Sequence, residues 1–298
     1  MPAIAFRRAR WSVAGKPAPT GGWRALIAAI ALIAGVARAG DGIPVTWEGQ
    51  WVQGGVIIGQ TEPGSRVWFG ERELRLTVGG RFVIGLHRDE SSPVRFRLQT
   101  PDGTEHRFAR TVADREYDIQ RIDGIDQSKV TPPPETLKRI RAEGAMVRKA
   151  RGADSPRADF LSRFIWPTVG PISGVFGSQR ILNGHPRQPH YGVDVAVPTG
   201  TPVVAPAGGV VTLAHPDMYF SGGTLMIDHG HGLSSAFLHL SKILVEVGQE
   251  VVQGEPIAEV GATGRVTGAH LDWRVNWFDA RVDAQLLVPP METVRGAN

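Results

Sequence analysis

The stretch Thr224–Leu240, which reads TLMIDHGHGLSSAFLHL, decides the fold class. Two apolar runs of strand length, Thr224–Asp228 and Ser234–Leu240, flank a turn that contains two glycines. Short apolar runs bounded by glycine are typical of β-strands. Similar runs, rich in glycine and valine, recur throughout residues 164–288, where no helix of ordinary length fits. The sequence therefore predicts an all-β protein in which this region is an antiparallel β-sheet domain with long loops.

The region before it has its own pattern of short strands. Turn signals such as Glu62-Pro63-Gly64 and Pro101-Asp102-Gly103 divide residues 43–120, which indicates a small N-terminal β-sandwich. Pro132-Pro133-Pro134 ends that pattern, and the segment after it has the spacing of a linker helix with one basic face. The predicted order is a signal peptide at 1–39, a β-domain at 43–120, a Pro-rich linker and basic helix at 121–163, the second β-domain at 164–288 and a C-terminal tail at 289–298.

The first 39 residues have the layout of an export signal. Basic residues precede an apolar run, Ala25–Val36, that ends in Ala37-Arg38-Ala39. This run is shorter than the ~20 residues that span a bilayer, so we expect cleavage after Ala39, no stable membrane span afterwards, and location in the periplasm or cell envelope. Cleavage would remove six positive charges from a formal net charge of +4, so the basic pI of 9.7 gives no reason to expect a nucleic-acid partner.

The chain contains no cysteine, which excludes disulfides and thiolate metal sites. Its composition, with 42% hydrophobic and 21% charged residues, is that of a globular protein. Any bound metal must therefore be held by histidine and carboxylate.

Histidines and aspartates cluster at three places in the second β-domain. Because side chains alternate faces along a strand, His190 and Asp194 can share one face, as can His270 and Asp272, while His239 lies in a third apolar strand. Imidazole nitrogen and carboxylate oxygen are good zinc ligands, and a catalytic zinc site uses three of them. Each histidine alone is compatible with an ordinary structural role, but three such clusters in one domain favour a metal site.

The order of these motifs resembles the lysostaphin/LytM-type zinc metallopeptidases, which cut peptidoglycan. The resemblance covers roughly residues 164–288. It rests on Gly174-Val175-Phe176-Gly177, His190-Tyr191-Gly192-Val193-Asp194, Ala205-Pro206-Ala207-Gly208-Gly209, Ile227-Asp228-His229-Gly230, Phe237-Leu238-His239-Leu240-Ser241, Val260-Gly261-Ala262-Thr263-Gly264 and Gly268-Ala269-His270-Leu271-Asp272-Trp273.

The resemblance implies a role for each matching residue. His190 and Asp194 correspond to two Zn²⁺ ligands, and His239 and His270 to the two histidines that act on water and the transition state. The family's third ligand is the second histidine of an H-x-H motif, and this chain has Asp272 there. Asp is itself a competent zinc ligand, so a His/Asp/Asp site is chemically reasonable. From the sequence alone, Asp272→His would restore the family pattern and keep both metal and activity.

The resemblance further implies an exported metalloprotease that hydrolyses peptide stems or cross-bridges of the cell wall, with a possible protein regulator. We expect Arg180, Tyr219 and Trp273 to contact the substrate. Two alternatives stay open. One is a catalytically degenerate member that binds the cell wall or activates another wall hydrolase, and the other is a polymer-binding β-module without metal.

Overall fold

The computed structural model describes residues 42–122, 134–182, 184–186 and 188–296, so the predicted signal peptide lies outside the described residues. The strands before the linker are β1 (Val45–Gly49), β2 (Val56–Thr61), β3 (Arg66–Phe69), β4 (Arg72–Glu73), β5 (Arg81–Gly85), β6 (Val94–Gln99) and β7 (Glu105–Arg110). They form two antiparallel sheets, of order β1-β2-β5 and β4-β3-β6-β7, that pack through an aromatic core. Trp47 contacts Phe82 of its own sheet at 5.6 Å between ring centroids and Phe96 of the other sheet at 5.2 Å.

The predicted linker helix is present as α1 (Pro134–Arg151). Val147 and Ala150 on one side of α1 pack on a small apolar cluster of the large sheet. Arg139 on its basic side pairs with Glu143 at 2.6 Å and with Asp217 at 3.0 Å. The helix is therefore attached to the second β-region by both apolar packing and ion pairs.

The strands of the second region are β8 (Ile119–Ile122), β9 (Ile172–Gly174), β10 (Gln179–Leu182), β11 (His185–Pro186), β12 (Val193–Val195), β13 (Pro202–Val204), β14 (Gly209–Met218), β15 (Gly222–Gly230), β16 (Leu233–Leu240), β17 (Lys242–Ile243), β18 (Glu250–Val251), β19 (Pro256–Glu259), β20 (Leu271–Trp277) and β21 (Ala280–Val282). Most belong to one large antiparallel sheet, of order β18-β14-β15-β16-β20-β12-β9, with β21 paired to β20. A short parallel pairing joins β8 to β10. Short helical segments are Asp159–Leu161, Ala284–Leu287 and α2 (Met291–Arg295). The predicted antiparallel all-β architecture is thus confirmed.

The large sheet has two different faces because successive strand residues alternate. Phe237 and Trp273 face the main hydrophobic core, whereas Ala236 and Leu238 face α1. Asp272 directly precedes Trp273 and therefore shares the face that carries α1. This alternation decides which side chains can meet in a site.

The two β-regions share one hydrophobic cluster. Phe69 contacts Trp277 at 5.7 Å between ring centroids, and Arg115 pairs with Asp283 at 2.9 Å. A Cβ on Gly85 would lie 2.5 Å from the Cβ of Trp277, so β5 and β20 approach too closely for any larger residue there. The domain boundaries stay a prediction, since shared packing does not tell whether either region folds alone. Within the described part of the chain, no helix has the length and apolar character needed to cross a membrane.

Candidate metal centre

Three neighbouring strands bring the predicted ligands together. Asp194 on β12 lies directly opposite Asp272 on β20, and Leu238 on β16 lies opposite Asp272 on the other side. Directly paired residues of antiparallel strands point to the same face, so the two carboxylates converge. His190 precedes β12 and is fixed by backbone hydrogen bonds, with its own N–H donated to Ser178 O at 2.9 Å.

The three side chains form a compact and buried group. His190 Nε2 lies 3.1 Å from Asp194 Oδ1 and 3.6 Å from Asp272 Oδ2. One ligand atom from each of the three residues lies within 4.8 Å of the other two. The residues are 8%, 7% and 2% exposed, in that order. Buried charges at such density are stable only when they are paired or bind a metal.

The donor set fits a zinc ion. Asp194 Oδ1 is buried and has no aligned hydrogen-bond donor, although His190 lies at ion-pair distance. The Nδ1 atom of His190 lies 3.2 Å from Val175 O, which leaves Nε2 to face the carboxylates. A nitrogen and two oxygens are a suitable ligand set for zinc and leave a fourth position open.

Two glycines make room for the carboxylates. A Cβ on Gly174 would lie 2.2 Å from Asp194 Oδ2, and a Cβ on Gly192 would lie 2.2 Å from Asp272 Oδ1. Real Cβ atoms do not approach other atoms so closely, so any larger residue would push a carboxylate away. The glycines in the two motifs thus have a steric role in forming the site.

In the metal-free site, two carboxylates favour the protonated form of His190. Burial works against charge on His190, but the nearby carboxylates of Asp194 and Asp272 outweigh it and raise the pKa of His190 to about 9. Burial likewise opposes ionisation of Asp272, yet Arg274 and His190 hold its pKa well below its usual range. Because a metal ligand must be deprotonated, metal binding is expected to displace this proton from His190.

His239 and His270 stand together beside this group. Their ring centroids are 4.9 Å apart, and each Nδ1 lies 2.9 Å from a backbone carbonyl, that of Thr263 and of Gly268 respectively. His270 Nε2 lies 3.9 Å from Asp194 Oδ1. Burial lowers the pKa of His239, which keeps its imidazole neutral at pH 7. Both rings are therefore oriented so that Nε2 is free to exchange a proton.

His239 also has an unusual backbone conformation. Its φ is 65°, in the left-handed region that residues other than glycine rarely adopt. Its N–H donates to Ser221 O at 2.8 Å, which helps hold the residue there. Strain of this kind persists only where the surroundings enforce it, and it is common at functional sites.

Arg274 is the main site residue that the sequence analysis missed. It contacts both oxygens of Asp272, at 3.0 and 3.1 Å through Nε and at 2.6 Å through Nη2. Its side chain is 28% exposed, so it separates the buried Asp272 from solvent. The available signal was the spacing, because residues two apart on a strand share a face.

The three predicted substrate residues have different locations. The rings of Tyr219 and Phe220 lie 4.9 Å apart between centroids. Both residues directly precede Ser221, whose carbonyl accepts the N–H of His239, so Tyr219 lies near the histidine pair. Trp273 is 0% exposed and donates its indole N–H to Ser235 Oγ on the core face, so no substrate can touch its ring. That position corrects the expectation for Trp273. Arg180 belongs to β10, but its side chain lies outside what the structure describes.

Comparison with known proteins identifies the family. The sequence profile of peptidase family M23 matches residues 188–284, which contain all three candidate ligands and both histidines. A solved structure from Pseudomonas aeruginosa, assigned to peptidase M23, is 34% identical, covers 80% of this chain and 95% of its own chain, and superposes with a TM-score of 0.63. This chain belongs to peptidase family M23. The resemblance noted from the sequence motifs is thereby confirmed.

Curated relatives include a peptidoglycan endopeptidase and a cell division protein. Peptidoglycan DD-endopeptidase ShyA of Vibrio cholerae is 42% identical over 113 residues, which is 35% of this chain and 26% of ShyA. Cell division protein DipM of Caulobacter vibrioides is 30% identical over 161 residues, which is 54% of this chain and 25% of DipM. The chain thus matches about a quarter of the length of these relatives.

Proposed function

We propose that the protein is an exported zinc-dependent endopeptidase that hydrolyses peptide cross-links in bacterial peptidoglycan. The observation that carries the proposal is the buried group of His190, Asp194 and Asp272. One carboxylate oxygen of this group accepts no hydrogen bond, and two oriented histidines lie beside it. Membership of the metallopeptidase family M23 and the name of the relative ShyA support peptide-bond hydrolysis and the choice of substrate.

The chain's own residues divide the work of hydrolysis. His190, Asp194 and Asp272 would hold a zinc ion, which would supply a Lewis acid to polarise the scissile carbonyl and acidify water. His239, kept neutral by burial, accepts the proton of the attacking water at Nε2 and returns it to the leaving amine. In its doubly protonated form, His270 donates from Nε2 to the oxyanion that develops on the carbonyl, while its Nδ1–H is donated to Gly268 O.

Arg274 offsets the extra negative charge that Asp272 brings to the ligand set. A second carboxylate alone would make a metal-bound water less acidic than in the family's His/Asp/His site. The ion pair of Asp272 with Arg274 carries no net charge, so the ligand set with its partner has the same net charge as His/Asp/His. This compensation supports an active enzyme over a degenerate one.

Metal content and wall digestion test the proposal together. We expect about one zinc per mature chain and release of cross-link fragments from purified peptidoglycan, identified by mass. A protein that holds no stoichiometric metal and releases nothing, yet stimulates another wall hydrolase, would establish the degenerate alternative and sink the peptidase.

Export is tested separately. We expect the mature protein recovered from the cell envelope to begin at Gly40, because cleavage is predicted after Ala39. Intact mass of the recovered protein measures this directly, and retention of residues 1–39 would contradict it.

A further inference from the structure

A row of polar side chains leads away from the metal centre along the sheet face that carries α1. Asp272, Arg274 and Asn276 alternate along β20 and therefore point to the same side. Arg281 on β21 lies directly opposite Asn276 and donates through Nη1 to its side-chain oxygen. At about 3.3 Å per strand residue, the four steps from Asp272 to Asn276 place the backbone of Arg281 about 13 Å along the sheet from Asp272. Its guanidinium carbon Cζ lies 5.4 Å from the ring centroid of Tyr191, the residue after His190.

Arg281 lacks a carboxylate partner that the neighbouring arginines have. Arg274 pairs with Asp272, and Arg151 at the end of α1 pairs with Asp279 at 3.0 Å. Among the described residues, no carboxylate lies within 4.0 Å of the Arg281 guanidinium. Its guanidinium donates to Asn276 and lies over the ring of Tyr191, whose centroid is 5.4 Å from Cζ, while Asp279 attracts it only from beyond ion-pair distance.

The surroundings of Arg281 favour an anion. Burial, followed by repulsion from Arg151 and Arg274, lowers the pKa of Arg281 to about 10. Arg151 adds a buried Nε that has no hydrogen-bond acceptor. A half-buried cation among other cations is unfavourable for folding. A bound anion would reduce the repulsion and accept hydrogen bonds from the donors that lack an acceptor.

We propose that Arg281 binds a free carboxylate of the substrate, carried one to three residues from the scissile bond. The inference rests on the proposed function, and it narrows the substrate to wall peptides whose stem carboxylates are free instead of amidated. An extended peptide that leaves the metal centre along β20 covers the distance to Arg281 within a few residues. Arg281 would then select substrate without taking part in bond cleavage.

Two matched substrates test the proposal: cross-linked wall peptides with free stem carboxylates and the same peptides with those carboxylates amidated. Arg281→Met should lower kcat/KM on the free acids by roughly 10- to 100-fold, mainly through KM, because a charge-assisted hydrogen bond is lost. On the amidated peptides the same variant should change kcat/KM less than about 2-fold. Arg281→Lys should recover part of the preference, and Arg163→Met, at an exposed arginine outside the row, should leave both rates unchanged.

The outcomes separate this inference from the proposed function. Equal losses on both substrates, or no loss on either, would overturn the role of Arg281. If the wild type cuts neither peptide, the proposed function fails. Calorimetric binding of the same two peptides then tests the role of Arg281, which holds only if the wild type prefers the free-acid peptide and Arg281→Met removes that preference. Inorganic phosphate is the third arm, and competition as strong as that of the free-acid peptide would show a general anion site and contradict a substrate carboxylate.

Discussion

Asp272→His is the most informative substitution, because the sequence and the structure predict different results. The change creates the H-x-H motif of the family, and the sequence alone predicts that metal binding survives. In the structure, Arg274 contacts Asp272 at 2.6–3.1 Å and would lose its anionic partner. Its guanidinium would then remain as an unpaired cation beside the metal.

The size of the effect follows from the exposure of the pair. Removing one partner of a fully buried ion pair costs about 3–5 kcal/mol. Arg274 is 28% exposed, so solvent screening reduces this to about 2 kcal/mol of unfolding free energy in the metal-free protein. A zinc ion and a guanidinium roughly 6 Å apart repel by about 5 kcal/mol at an effective dielectric constant of 20. In the wild type the charge of Asp272 offsets this repulsion, and in Asp272→His it is no longer offset. Allowing for the same solvent exposure, we expect zinc affinity to fall by about 2–3 kcal/mol, or roughly 30- to 150-fold.

Replacing Arg274 as well should reverse the defect. Asp272→His combined with Arg274→Met removes the unpaired cation, so zinc affinity and stability should both recover. Arg274→Met alone is the control: it should destabilise the metal-free protein by about 2 kcal/mol while keeping a carboxylate ligand. Zinc affinity is measured by competition with a chromogenic chelator, and stability by urea unfolding in excess chelator. The reasoning is refuted if Asp272→His binds zinc within about 3-fold of wild type and the double variant binds no more tightly than the single one.

Three other predictions follow from the same geometry. His239→Ala and His270→Ala should each reduce hydrolysis by ~10²–10⁴-fold while zinc content stays near wild type, and loss of zinc in either variant would make that residue a ligand. In the metal-free protein, the pKa of His190 is raised to about 9 from an unfolded value of 6.5, so its contribution of about 3 kcal/mol is complete below pH 6.5 and disappears as pH rises through 9. Urea unfolding across this range should show the decline, and a His190→Gln variant with the same slope would contradict it. Gly192→Ala should abolish zinc binding because its Cβ would lie 2.2 Å from a carboxylate oxygen of the site, whereas Gly268→Ala, with nothing within 4 Å, should retain full zinc content.

Local sequence determined the strands and the family. Alternation and glycine-bounded runs mark strands wherever a segment is half-buried, and the run Ser234–Leu240 forms a strand, β16, that begins one residue earlier at Leu233. The ligand candidates were also visible, because His190 and Asp194 stand four apart in a recognisable motif. Trp273 was misjudged although alternation was informative: a residue directly after Asp272 on a strand must point to the opposite face.

Tertiary structure decided what depends on strand pairing. The register of β12 against β20 sets Asp194 opposite Asp272, and no pattern within either segment specifies that register. The same pairing makes Gly192 the space for the Asp272 carboxylate, and the β20–β21 register puts Arg281 at the end of the polar row. Arg274 meets Asp272 along one strand, whereas the missing counter-ion of Arg281 depends on contacts across the sheet. The sequence determined which chemical groups the site contains, and folding decided how the ligands from separate strands meet, because that depends on distances between residues far apart in the chain.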